Sequence, residues 1–262
     1  MLDLDLSGRR AVVTGASGGI GEAVVRLMAD HGAEVHFCAR DGDAVAALGK
    51  ERPASGAGSI VGHVTDMGDG EQVSAFLAAV LADGAVDIVV NNVGASPSRN
   101  FLYMTDDDWS SLFELNLLSA VRCTRAALPG MRANKWGRVV MVASGAAKYP
   151  NATLIDYAAS KAAMVATGKA LAAKYGADGV LVNSVLPGLI HTGMWDRAAD
   201  EVAAASGSTR DAVIAQRGKA VPVGRYGTAP EVAAMIVFLC SPAASYVNGA
   251  AIDVDGGVGS HV

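Results

Sequence analysis

Short runs rich in Val, Ile and Ala recur along the chain at Ala11–Thr14, Glu34–Ala39, Ser59–Val64, Asp87–Asn91, Arg138–Ala143, Val180–Val185 and Ala251–Val254. Most are apolar at successive rather than alternate positions, which is the pattern of a strand buried on both faces and so of a parallel sheet. Between the earlier runs lie longer stretches with apolar residues at helical spacing, such as Gln72–Leu81 and Trp109–Leu128. Strand alternating with helix predicts an α/β, doubly wound fold: a seven-stranded parallel sheet with helices on both faces. Local signals agree. Thr228-Ala229-Pro230-Glu231 reads as a capping box opening a helix through Val232–Cys240, and Gly176 is placed to close the helix that carries Tyr157. From Leu189 to Arg225 the chain is rich in Ala, Ser, Gly and charged residues and shows no strand pattern, which predicts a small helical lid after the sixth strand. No composition break divides the 262 residues, so a single domain over 1–262 is expected.

Composition narrows the classes of partner. Charged residues make up 18% and the formal net charge is −5, with the basic residues scattered singly. That distribution offers no electrostatic footprint for nucleic acid or an anionic membrane surface. Cys38, Cys123 and Cys240 sit in apolar runs without metal-like spacing, as reduced core cysteines of a cytoplasmic protein do. The N-terminus lacks a basic segment ahead of an apolar one, and the longest apolar run, Val232 to Cys240, is far short of a membrane span. A soluble, unprocessed protein is expected. Histidines 31, 36, 63, 191 and 261 do not stand at ligand spacing, and no metal is assigned to them.

Two patterns carry chemistry. Thr14-Gly15-Ala16-Ser17-Gly18-Gly19-Ile20-Gly21 lies between an apolar run and a helical stretch, and so reads as strand, tight turn, helix. Glycines there let the backbone approach a ligand and leave the first helical amides pointing at it, a site suited to a pyrophosphate. Farther on, Tyr157 and Lys161 stand four residues apart, which places a phenol and an ammonium on one helical face. A neighbouring cation lowers the pKa of a phenol, so the pair can act as a general acid or base.

Other elements complete an ordered set. Asn91-Asn92-Val93-Gly94 follows the fourth strand run, Asn116 lies in Glu114-Leu115-Asn116-Leu117, and Ser144 precedes Tyr157 by thirteen residues. Pro187-Gly188-Leu189-Ile190-His191-Thr192 and Val254-Asp255-Gly256-Gly257 come last. With the glycine turn and Tyr157-Ala158-Ala159-Ser160-Lys161, these motifs resemble the short-chain dehydrogenase/reductase family over essentially the whole chain; Val93 replaces the usual Ala. The resemblance implies a Rossmann fold and a hydride transfer between a nicotinamide and a carbonyl or secondary alcohol. It implies Tyr157 as general acid/base, Lys161 as the group that lowers the phenol pKa and holds the ribose hydroxyls, and Ser144 as a hydrogen-bond donor to the substrate oxygen. Asn116 would anchor a water leading from Lys161. A strand-end cap for Ser144 and an ordinary buried amide for Asn116 are the bland alternatives. Cofactor contacts are implied for Thr14, Gly15, Ser17, Gly19, Ile20, Gly21, Asn92, Gly94, Pro187, Gly188, Ile190 and Thr192, the last two toward the carboxamide. A homotetramer is implied as well, built on the fourth and fifth helices across one axis and the last helix and strand across another.

Cofactor choice turns on the end of the second strand. A carboxylate there reads a ribose 2′-hydroxyl, whereas a cation reads a 2′-phosphate. Ala39 stands where NAD-preferring relatives carry Asp, and Arg40 follows, so NADP(H) is expected, with NAD(H) the alternative through Asp41 or Asp43. Asp66 or backbone is left to contact the adenine, because His63-Val64 replaces the usual Asp-Val. Ser96, Ala146, Tyr149, Met194 and Trp195 are candidates to line the substrate pocket. The substrate is expected to be a small carbonyl or alcohol, with 3-oxoacyl thioester reduction as the leading type; a sugar, polyol or steroid dehydrogenase using NAD, or a non-catalytic nucleotide-binding regulator, are the alternatives.

Overall fold

The computed structural model describes residues 2–54 and 57–259, except the side chains of 194–198 and 201. In chain order the elements are β1 (Arg10–Thr14), α1 (Gly19–Asp30), β2 (Glu34–Ala39), α2 (Gly42–Leu48), β3 (Ser59–Val64), α3 (Gly70–Ala82), β4 (Ile88–Asn91), α4 (Asp106–Phe113), α5 (Ser119–Ala133), β5 (Gly137–Val142), α6 (Ile155–Tyr175) and β6 (Val180–Pro187). They are followed by β7 (Ile190–His191), α7 (Gly193–Ser206), α8 (Arg210–Gly218), β8 (Gly227–Thr228), α9 (Ala229–Cys240) and β9 (Ala251–Val254). Seven strands form one sheet in the order β3-β2-β1-β4-β5-β6-β9, every pairing parallel.

Strand alternation sorts the core into two layers. Ala11, Val13, Val35, Phe37, Ile88, Val90, Val140 and Val142 face α1 and α9, whereas Val12, Cys38, Val89, Val139, Met141 and Val182 face α3, α5 and α6. Both faces are thus buried, as the continuous apolar runs require; β3, at the sheet edge, is the more exposed exception. α9 opens with the expected box, in which Thr228 and Glu231 exchange side-chain-to-backbone bonds.

Two local expectations hold with added detail and one is corrected. The stretch Trp109–Leu128 is helical but not one α-helix: a π turn over Glu114–Leu118 joins α4 to α5. Gly176 closes α6 as its C-cap, as expected, in right-handed backbone followed by a 3₁₀ turn; the left-handed position is Gly179, at φ 81°, where a side chain would collide with the Lys135 backbone. The Leu189–Arg225 stretch holds the two helices expected of a lid, α7 and α8, but also a strand. Ile190–His191 pairs in parallel with Gly227–Thr228, because buried Ile190 packs on Gly227, whose N–H donates to the Leu189 carbonyl at 2.9 Å. No helix among the described residues is long and apolar enough to cross a membrane.

Candidate active site

Strand order reverses between β1 and β4, and in open α/β sheets the ligand crevice lies at the carboxyl ends of the strands at such a point. The loops after these two strands are tied together. The Thr14 hydroxyl accepts the N–H groups of Asn92 and Val93, both at 3.0 Å, and the Asn92 amide donates to the carbonyls of Thr14 and Gly15, both at 2.9 Å. The glycines are required by this closeness. A Cβ on Gly15, at φ 69°, would lie 2.9 Å from Val93 Cα, and one on Gly21 would lie 2.6 Å from the Asn92 amide nitrogen. Gly19, at φ 60°, faces the Thr192 methyl at 3.1 Å from its would-be Cβ, so the segment after β6 folds over the turn. Gly18 caps α1 with no side-chain acceptor, which leaves the first α1 amides to an incoming anion, with Ser17 exposed beside them. This turn, which comes so close to its neighbours only because Gly15, Gly19 and Gly21 lack a Cβ, fits a dinucleotide's phosphates.

Arg40 is exposed directly after β2 and makes no ion pair among the described residues. Asp41, the alternative ribose reader, is occupied: its carboxylate caps α2, accepting the N–H groups of Asp43 and Ala44 at 3.0 Å. Asp66 likewise accepts the Gly68 N–H at 2.9 Å.

Beside the crevice, Ser144 leaves β5 in extended backbone and accepts the Ala146 N–H at 3.1 Å, and its hydroxyl acts on the Tyr157 phenol in the sense that lowers its pKa. Lys161, one turn further along α6, is 3% exposed. Its Nζ donates to the Val142 carbonyl at 2.9 Å, lies 3.5 Å from Met164 Sδ and stands 5.9 Å from the centroid of the Tyr157 ring. Burial acts on both groups of the pair, and in opposite directions. Burial pushes Tyr157 above its ordinary 10, with the Ser144 bond opposing, and burial drives Lys161 down from 10.5 to about 8.

Asn116 is fully buried in the π turn. Its oxygen accepts the Ala95 N–H at 2.9 Å, and its amide donates to the Ala95 carbonyl and to Ser160 Oγ, both at 3.0 Å. Every polar atom of this side chain has a protein partner, and together these bonds join the loop after β4 to α6. Gly94 makes room: its would-be Cβ is 3.1 Å from Lys161 Nζ and 3.2 Å from Asn116 Oδ1.

Pro187 ends β6, and the Gly188 N–H donates to the Val254 carbonyl at 3.1 Å. Ile190 is buried in β7, and Thr192 stands at the N-cap of α7 without a side-chain cap bond. Ser96, Ala146 and Tyr149 are half-buried; the Tyr149 ring lies against Gly259, with Cζ 2.9 Å from the would-be Cβ of that glycine. The side chains of Met194 and Trp195 lie outside the described residues.

Sequence spacing missed two associations. His36 and His63, far apart in the chain, are brought by adjacent parallel strands to 3.1 Å between Nδ1 and Nε2, and His36 Nε2 is 3.0 Å from Glu34. No group of three or more His, Cys, Asp or Glu side chains suited to a metal occurs among the described residues. The second is Ser160, which bridges the Asn116 amide to the Tyr157 carbonyl, accepting from the first and donating to the second at 2.8 Å. It was visible inside the Tyr157–Lys161 motif, but nothing in its spacing signals that role.

A phosphate cradle at the switch point, beside a hydroxyl, a phenol and a buried amine, defines a dinucleotide-dependent oxidoreductase. The comparisons agree: a family model described as enoyl-(acyl carrier protein) reductase matches residues 15–259, and the chain belongs to the short-chain dehydrogenase/reductase family. It is 36% identical to the 3-oxoacyl-(acyl-carrier-protein) reductase FabG of Vibrio cholerae, over 97% of this chain and 99% of that one. Among solved structures, L-sorbose reductase from Gluconobacter frateurii, complexed with NADPH and L-sorbose, superposes with a TM-score of 0.95 at 32% identity, covering 99% of this chain and 100% of that one. A single-substitution variant of actinorhodin polyketide ketoreductase with NADPH gives 0.89 at 31% identity, covering 97% and 98%.

The Lys161 shift has a testable sign. Between about pH 8 and 10.5 the unfolded chain holds the lysine proton that the folded chain has released, so stability rises with pH in this window and the full cost of the buried charge is present below it. Relative to Lys161→Met, the wild type is expected to gain about 2–3 kcal/mol between pH 7 and pH 10. Urea titrations of both proteins at the two pH values check this; a difference that does not change with pH would show that the ammonium is not desolvated.

Proposed function

We propose that this protein is an NADP(H)-dependent carbonyl reductase in which Tyr157 delivers the proton and Ser144 steadies the substrate oxygen. The observation that carries this reading is the Ser144–Tyr157 hydroxyl pair, placed by β5 and α6 beside the cradle after β1. When bound, the reduced nicotinamide supplies the hydride that the carbonyl carbon accepts. Tyr157 gives its proton to the carbonyl oxygen, and Ser144 donates a hydrogen bond to the charge that develops there. A phenol pKa raised by burial keeps Tyr157 protonated at neutral pH, as proton donation requires. Lys161, held near pKa 8, is the residue beneath the site able to hold ribose hydroxyls and to shift toward the phenolate once the proton has left.

NADP(H) is supported by exposed Arg40 beside buried Ala39, by Asp41 being engaged as a helix cap, and by the NADPH in two similar structures. A 3-oxoacyl thioester is the leading substrate class, on the likeness to FabG. The 0.95 TM-score to an L-sorbose reductase favours a ketose as the second. A panel of acyl thioesters, ketoses and simple ketones, followed by nicotinamide absorbance, separates the two. A homotetramer is supported by exposed apolar residues that lead into α4 and α5, Phe101, Leu102, Tyr103 and Leu118 among them, with Leu102 83% exposed.

Tyr157→Phe is expected to keep cofactor binding and lose nearly all turnover, and Ser144→Ala to lose activity by about 2–4 kcal/mol of transition-state stabilisation. Steady-state kinetics with the best ketone of the panel decides; a Tyr157→Phe enzyme as fast as wild type removes Tyr157 from the chemistry.

Arg40 sets the second test. Exchanging Ala39→Asp together with Arg40→Leu removes a charge-assisted contact to the 2′-phosphate and adds a repulsion, each about 1.5–3 kcal/mol. The ratio of kcat/KM for NADPH to that for NADH should then fall by at least a hundredfold; an unaltered ratio would leave Arg40 a surface arginine.

Light scattering at micromolar concentration should give four times the 26.5 kDa chain mass, and a monomer would contradict the assembly.

A further inference from the structure

The residue ahead of Tyr157 is a buried acid. Asp156 is 1% exposed, and its two carboxylate oxygens do different things: Oδ1 accepts the Tyr157 N–H at 2.8 Å, and Oδ2 receives Nη1 of Arg99 at 2.8 Å. α6 has no ordinary cap, because Leu154 at its N-cap offers no side-chain acceptor. Asp156 supplies from inside the first turn the acceptor that a capping side chain would otherwise bring. Arg99 reaches it from the loop after β4, the loop that also holds Ala95 against Asn116 and carries Ser96. The same guanidinium stands 3.4 Å from Asp108, whose other oxygen accepts from Thr105 in the capping box of α4. One side chain therefore joins the first turns of α4 and α6 to the substrate-side loop.

We propose that Arg99 is a positioning residue for Tyr157: by pairing with Asp156 it sets the first turn of α6 and so the direction in which the phenol meets Ser144. This rests on the proposed function above. A role for Arg99 in gripping an anionic substrate is the competing idea, but two carboxylates already face its charge and the side chain is only 27% exposed. Nor is a buried pair of this kind a strong source of net stability, since desolvation offsets most of the attraction. Its consequence is geometric: without Arg99 the Asp156 charge has to reach solvent or another partner, and the carboxylate that holds the Tyr157 amide moves with it.

The test uses the full chain with NADPH and the best ketone of the panel, comparing Arg99→Met, Arg99→Lys and Tyr157→Phe with wild type. For Arg99→Met, kcat is expected to fall at least tenfold while the dissociation constant for NADPH, from fluorescence titration, stays within twofold. Hydrogen exchange of the Tyr157 amide in the cofactor-free protein should quicken at least tenfold. Arg99→Lys, which keeps a cation, should restore kcat to within threefold. If Arg99→Met does not fold, Arg99→Met with Asp156→Asn removes both charges and is measured in its place with the same expectations for kcat and exchange. An Arg99→Met enzyme within twofold of wild type in kcat, or one whose loss is matched in NADPH binding and not rescued by lysine, overturns the proposal. If that happens while Tyr157→Phe is inactive, only the role of Arg99 falls; if Tyr157→Phe turns over normally, the functional reading falls and this inference with it.

Discussion

Four hydrogen bonds between Thr14 and Gly15 on one side and Asn92 and Val93 on the other hold the loop after β1 against the loop after β4, and the geometry of the crevice depends on them. Parallel strands whose order reverses leave their C-terminal ends divergent, so the two loops stay together only if something joins them. Side chains at Gly15 or Gly21 would enter the space that Val93 and Asn92 occupy, and helix α1 could not come forward to present its amides. The same closeness continues outward. Gly94 admits Lys161 and Asn116, Asn116 binds Ala95 and Ser160, and Ser160 binds the Tyr157 carbonyl. A continuous set of short contacts thus runs from the first strand to the helix that carries the phenol.

Burial governs the electrostatics of that helix. Desolvation disfavours whichever form is charged, so it raises the pKa of a phenol and lowers that of an amine. Tyr157 and Lys161 move in these opposite directions for the same reason. The pair is consequently held closer to neutrality than its residue types imply, and the Lys161 protons are directed to the Val142 carbonyl rather than to the ring. At neutral pH such a site has a protonated phenol ready as donor and, beneath it, an ammonium that is released more easily than an exposed lysine's.

The segment after β6 shows the same economy of contacts. Gly188 lies close against Asp255, Ile190 pairs in a two-residue strand with Gly227, and Thr192 rests on Gly19. The lid is thereby anchored at its base on the sheet and the glycine turn, with α7 and α8 projecting beyond.

Much of this was legible in the chain. Continuous apolar runs alternating with helical ones determined a parallel sheet with both faces covered, since only burial on both sides tolerates Val and Ile at successive positions. The spacing of the glycine turn, Ser144, Tyr157 and Lys161 marked the loops and the helix where the candidate site lies. Tertiary structure decided what local pattern does not encode. Whether Lys161 acts on Tyr157 depends on burial and on the Val142 carbonyl, contributed by a different element. The partners of Asn116 lie in a loop and a helix distant in sequence; the contact between His36 and His63 depends on strand register; and the Arg99–Asp156 pair spans 57 residues. Periodicity reports which face of an element turns inward, whereas a polar partner depends on which elements meet there, and that is settled only when the chain has folded.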